Sequence, residues 1–304
     1  MRFDFWRDIL QPSLEIIRND SKLKKFYFFP WFFSMLFLSI ILTYQGIYTY
    51  VELLWNKDQA LEIILAFFHS WYIIEIIIII VIIFIIYIII MPIFEWALIR
   101  YIDQRKNGSA SCSESLWVGM FRFYPLLEFN SIVSIFKFIT LVNTYLFILR
   151  LLWVDYIFML NIFFITAFLF SCIINILLAY ARFEIILENK STFESIGIST
   201  KISLIHIKTT LKLYFMMFLL NIRVILNFIL FILFPLLALS ITTYVGSFFI
   251  TTILLVILWW VFIFFILALW YLAGVLEIFT KAMWYQSYKI WKQRLEKIDA
   301  WDTN

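Results

Sequence analysis

The chain has 304 residues, 64% of them hydrophobic and 21% aromatic, and 14% are charged. A soluble domain averages roughly a quarter charged residues, so this composition and a mean hydropathy of +0.97 exclude a water-soluble globule. The formal net charge of +4 is spread along the chain without a basic cluster, which argues against a nucleic-acid partner.

The expected fold class is an all-α integral membrane protein, a single polytopic domain over 1–304. About 20 apolar residues of helix cross the hydrocarbon. In lipid every backbone group needs an internal partner, so runs such as "YIIEIIIIIVIIFIIYIIIMPIF" (72–94) predict helices rather than barrel strands. Six spans are predicted, at about 26–48, 72–97, 126–149, 156–181, 213–236 and 248–278, followed by a cytoplasmic C-terminal helix at about 279–299. The third is interrupted by Glu128, Asn130 and Lys137. The first apolar run starts near Phe26 and ends in "LTYQGIYTY" without a small-x-small site, so no cleavable signal peptide is expected. Cys112 and Cys172 make no disulfide framework.

Orientation follows from Lys and Arg in the connections. Of the 24 basic residues, all but Lys57, Arg150, Lys137 and Arg223 fall in segments on one side, among them 2–25, 100–122, 182–212 and 281–297. A multi-pass protein of the cell membrane with both termini cytoplasmic is therefore expected.

The passage "LENKSTFESIGISTKISLIHIKTTLKLY" (187–214) is unusually polar for this chain. On a helical wheel Phe193, Ile196, Leu204, Ile207 and Leu211 form an apolar stripe, edged by Glu194, Lys201, Lys208 and Lys212. This predicts an amphipathic helix at 193–212 on the cytoplasmic membrane surface, with Lys201, Lys208 and Lys212 facing lipid phosphates. The alternative is one long helix that runs on into the fifth span, bent at the surface. Ser191 and Glu194 have the spacing of a capping box. An echo lies 80 positions earlier in "SCSESLWVGM" (111–120), where Ser111 and Glu114 repeat the box and a second surface helix is expected. Two such segments after two spans suggest a parallel internal repeat, with units at about 72–149 and 156–236.

"YARFEIILENKSTFESIGISTKISLIHIKTTLKLY", then "NIRVILNFILFILFPLL" and "LEIFTKAMWYQSYKIW", resemble the uncharacterised bacterial six-span membrane proteins related to the glycerophosphodiester phosphodiesterase membrane-anchor domain. The shared pattern is span, turn, amphipathic helix and span, closing with a Tyr-containing cytoplasmic helix. It covers 170–304 well and the first half loosely. The resemblance implies a fold and a membrane location but no activity, and with the chain ending at Asn304 no hydrolase domain is expected.

Catalytic and metal residues are expected to be none, and no cofactor is expected. His69 and His206 stand far apart, and no G-x-S-x-G, H-E-x-x-H or Gly-rich phosphate loop occurs. The candidate site is instead a set of polar groups in the spans, where ionisable residues are costly and functional or paired: Arg223, Lys137, Asn143, Asn227 and Glu277. They either tie helices together or line a cavity that attracts an anion or a lipid head group. The function classes are accordingly a non-enzymatic accessory or membrane-organising protein, or a transporter or channel for a small anion or lipid. The expected partners are membrane lipids, with a protein partner or a second copy of the chain.

Overall fold

The computed structural model describes residues 3–34, 73–105, 111–152, 157–220, 222 and 248–302. Among these there is no strand. A short π-helical turn, Trp6–Leu10, leads into α1 (Gln11–Asn19), and α2 covers 21–34. Then follow α3 (Ile73–Arg105), α4 (Cys112–Arg122), α5 (Tyr124–Ser134), α6 (Phe138–Leu152) and α7 (Ile157–Leu177). The remainder is α8 (Ala181–Leu187), α9 (Thr192–Ile205), α10 (Ile207–Leu220) and α11 (Phe248–Asp302).

Among the described residues two helical stretches are long and apolar enough to cross a membrane, Ile74–Arg105 and Ile157–Leu187. The bent pair α9 and α10 makes a third if it counts as one span. The isoleucine-rich half of α3 is exposed on several sides, as the consecutive Ile77, Ile78, Ile79 and Ile80 show, whereas Ile93, Trp96, Leu98, Ile99 and Ile102 are buried. Pro92 stands at the change. A helix of 33 residues is about 50 Å long at about 1.5 Å per residue. Its apolar half suits lipid and its other half enters a packed core at one end of the bundle.

That core is centred on α8. Ala181, Phe183, Ile185 and Ile186 are fully buried, together with Leu126 and Phe129 of α5, Tyr27 of α2 and Ala282, Met283 and Tyr285 of α11. The start of the connection 182–212, expected on the membrane's cytoplasmic side, is thus the middle of the core.

Four expectations about elements need correction. The predicted span 126–149 is broken at 135–137. There Ser131 donates to Leu127 O at 2.9 Å and Ser134 to Ser131 O at 2.7 Å, hydroxyl bonds that compete with the helical ladder. The freed carbonyl of Phe136 accepts from Asn175 Nδ2 at 2.8 Å and from the Ser171 hydroxyl, so α7 satisfies the break. The sixth span and the C-terminal helix are one continuous helix of 55 residues.

The predicted surface helix 193–212 is also divided, since α9 and α10 meet at 95° around His206. The imidazole of His206 stacks on Trp291 with centroids 3.8 Å apart, and the Thr210 hydroxyl lies 3.2 Å from the Tyr180 hydroxyl, so packing on α11 and on the core fixes the bend. Lys208 and Lys212 consequently belong to α10, and Lys201 alone of the three lies on α9. Lastly, the capping boxes differ. Ser111 accepts from the Glu114 N–H at 3.4 Å, but the Ser191 side chain makes no cap. Glu194 turns to Lys190 at 3.7 Å, where an opposite charge replaces the neutral amide.

Candidate polar site at the packed end of the bundle

The two surface helices dock through small residues. Of the predicted apolar stripe, Phe193 and Leu204 on α9 and Ile207 and Leu211 on α10 are exposed, as are the lysines Lys201, Lys208 and Lys212, whereas Ile196 is half-buried and packs against the core. The buried face of α9 carries Ser195, Ser199, Ile202 and Ser203. The Ser199 hydroxyl donates to Leu177 O at 2.7 Å and accepts the Tyr180 N–H at 3.1 Å, and Ser203 also donates to Leu177 O. These serines therefore satisfy backbone groups freed where α7 turns into α8. On α4 the matching face is Ser115 and Gly119. Ser115 donates to Gln104 Oε1 at 3.1 Å, and a Cβ built on Gly119 would stand 2.8 Å from Ile93 O. Ser195 and Ser199 each follow Ser115 and Gly119 by 80 positions. Small residues at this spacing let helix backbones approach closely.

Five carboxylates at the packed end, Glu95, Glu277, Glu184, Asp103 and Asp20, collect the cations around them. Glu95 of α3 is buried and accepts from Arg182 Nη1 at 2.5 Å, from Lys281 Nζ and from Asn130 Nδ2 at 3.4 Å. Glu277 lies 3.6 Å from the same Lys281. Glu184 of α8 is fully buried and accepts from Lys292 Nζ at 2.6 Å and Tyr288 OH at 3.0 Å, with Lys190 Nζ 3.6 Å from its second oxygen. Asp103 accepts from Tyr285 OH at 2.6 Å and Lys289 Nζ at 3.4 Å. Asp20 accepts from Tyr101 OH at 2.7 Å and the Leu23 N–H at 3.0 Å, and Arg105 lies 3.2 Å away.

These groups set each other's protonation. Burial opposes ionisation of Asp20, yet the Leu23 N–H, the Tyr101 hydroxyl and Arg105 together hold its carboxyl below the usual carboxylate range. Burial, with Glu184 adjacent, pushes the Tyr288 phenol well up, so it stays a donor.

Beside the Glu95 cluster is a cavity of about 390 Å³. Arg182, Glu277, Lys281, Thr280, Asn175 and Tyr214 give it polar walls, and Phe129, Met217 and Trp284 give it apolar ones. Of the predicted site residues, Glu277 lines this cavity. Lys137 stands exposed in the turn between α5 and α6, close enough to interact electrostatically with Arg182, Glu95, Lys281 and Glu277. Asn143, on α6, does not line the cavity. Arg223 and Asn227 lie outside the described residues. Among the described residues no group of three or more His, Cys, Asp or Glu gathers as a metal site would.

Sequence reasoning missed Glu95, Arg182 and Lys281 as the centre of the site, because Arg182 and Lys281 read as topology-setting basic residues. A signal was present. Glu277, Lys281, Tyr285, Lys289 and Lys292 recur every three or four residues, which puts acid, base and phenol along one side of a helix.

Comparisons with known proteins add nothing to this geometry: no family model, no curated protein and no solved structure matches the chain.

Proposed function

We propose that the chain is a non-enzymatic multi-pass protein of the cell membrane, an accessory or membrane-organising subunit. In this reading both termini are cytoplasmic, six spans are present, and α4 and α9 lie in the interface of the cytoplasmic leaflet. The observation that carries it is the inverted burial of these two helices. Trp117, Met120 and Phe121 of α4, and Phe193, Leu204 and Ile205 of α9, are exposed, while serines and a glycine face the bundle. Aromatic and aliphatic side chains presented this way suit the head-group and acyl boundary, with Lys201, Lys208 and Lys212 reaching phosphates. The paired small-residue faces support a parallel repeat and kinship with the anchor-domain family. Membrane lipids are the partners, together with a protein subunit or a second copy.

The experiment is site-directed spin labelling in anionic vesicles, on a background without Cys112 and Cys172. A nitroxide at Phe193 is expected to be relaxed more by oxygen than by a water-soluble nickel complex, and one at Glu194 the reverse. Changing Lys201, Lys208 and Lys212 together to Gln should weaken attachment by up to about 3 kcal/mol, roughly 1 per basic residue, and raise nickel access at Phe193. Equal access of both reagents at the two positions would count against the interfacial helix.

The cavity beside Arg182 and Lys281 supports a second reading, a transporter or channel for a small anion or lipid. The charges of its walls are answered: Glu277, which lines it, and Glu95 beside it pair with Arg182 and Lys281. A balanced site favours holding helices together over capturing an anion, and anion flux in proteoliposomes separates the two readings.

A further inference from the structure

A second and larger cavity, of about 760 Å³, lies between the N-terminal helices and the last turns of α11. That volume suits a small organic ligand. Its α11 wall is basic and amide-rich, carrying Gln286, Lys289, Gln293, Arg294 and Lys297, whereas the opposite wall offers Asp8 and Glu15 beside Arg7.

The cations here are of two kinds. Arg105 and Lys289 are taken by Asp20 and Asp103. Arg7, Arg294 and Lys297 have no carboxylate within ion-pair distance among the described residues, unlike every basic residue of the Glu95 and Glu184 clusters. Arg294 is positioned by aromatic rings: its guanidinium lies 4.6 Å from the Trp291 ring and 5.9 Å from Phe3, and those two rings pack at 4.9 Å. Stacking occupies the faces of a guanidinium and leaves its in-plane N–H donors free, in the fork that matches phosphate or carboxylate. The two acids are engaged locally. Asp8 accepts the Asp4 N–H at 2.9 Å and Glu15 accepts from Gln11 at 3.4 Å. Ile16, Ile102 and Ile290 supply an apolar floor.

We infer that this groove binds a phosphate monoester that carries an apolar or aromatic body, with Arg294 and Lys297 on the phosphate and Arg7 closing from the N-terminal side. The phosphate belongs either to a lipid head group reaching in from the membrane or to a soluble ester. This site is separate from the interfacial helices and stands or falls without them.

Two arms test it on the purified full chain in phosphatidylcholine nanodiscs. Calorimetric titration with phenyl phosphate reads a soluble ester, and native mass spectrometry with and without phosphatidic acid in the disc reads a lipid. Saturable binding in either arm is expected, and the arm that responds names the source. The triple variant Arg7→Gln, Arg294→Gln, Lys297→Gln should weaken it at least about tenfold, since each charged hydrogen bond lost is worth about that factor. These side chains are exposed, so the variant should keep a monodisperse native peak. As a second probe, Gln293→Glu adds a carboxylate to the basic wall and should weaken binding too. No binding in either arm, or undiminished binding by the triple variant, overturns the proposal.

Discussion

Glu95→Ala is expected to lower stability by about 3–5 kcal/mol, the cost of removing one partner from a buried ion pair and leaving the other charge uncompensated. Here two charges are orphaned at once. Arg182 and Lys281 both reach Glu95, and without it two cations would face each other, answered by Glu277 at 3.6 Å from Lys281 alone. Glu95→Gln separates charge from packing, because it keeps the shape and one acceptor for Arg182 but removes the negative charge. Nearly the same loss is therefore expected for Gln as for Ala, measured by thermal or detergent-induced unfolding of the purified protein. A Gln variant within about 1 kcal/mol of the native chain, the range of an exposed ion pair, would mean that the cluster is not held by charge.

The second large effect is expected at Gly119. A side chain there meets the Ile93 carbonyl at 2.8 Å and the Ala97 nitrogen at 3.6 Å, both backbone atoms of α3 that cannot rotate away. Gly119→Val should push α4 off α3 and cost about 1–3 kcal/mol, as overpacking does. Gly197 is the internal control, since nothing lies within 4 Å of a Cβ added to it. Gly197→Ala should be neutral or stabilise by up to about 1 kcal/mol through helix propensity. Equal effects at the two glycines would contradict the close docking of α4.

What was legible in the sequence was local. The isoleucine run predicted a helix over 72–97, and the described residues from Ile73 on are helical without a break, because an uninterrupted apolar run leaves no competing conformation. The starts of α4 and α9, at Cys112 and Thr192, follow the S-x-x-E spacing even though Ser191 makes no side-chain cap. The exposure of Phe193 and Leu204 on α9 was readable from their period, though Ile196 of the same stripe packs against the core. The inner face of α9 was not, because nothing local marks the serines at 195, 199 and 203 as inward-facing until Leu177 and Tyr180 are seen to need partners. The ion pairs were out of reach for a different reason. Glu95 and Lys281 are 186 positions apart, and only the folded core shows that Lys281 answers a carboxylate as well as marking a side of the membrane. The break at 135–137 was foreshadowed by Glu128, Asn130 and Lys137, but its stabiliser, Asn175, comes from another helix.

The central claim is that α4 and α9 lie together on the cytoplasmic face. It is tested most directly by labelling single cysteines at Glu114 and Glu194, both exposed, on a background without Cys112 and Cys172. A membrane-impermeant maleimide applied to intact cells should label neither position, and after the membrane is opened it should label both. Labelling of either position from outside in intact cells would contradict the claim.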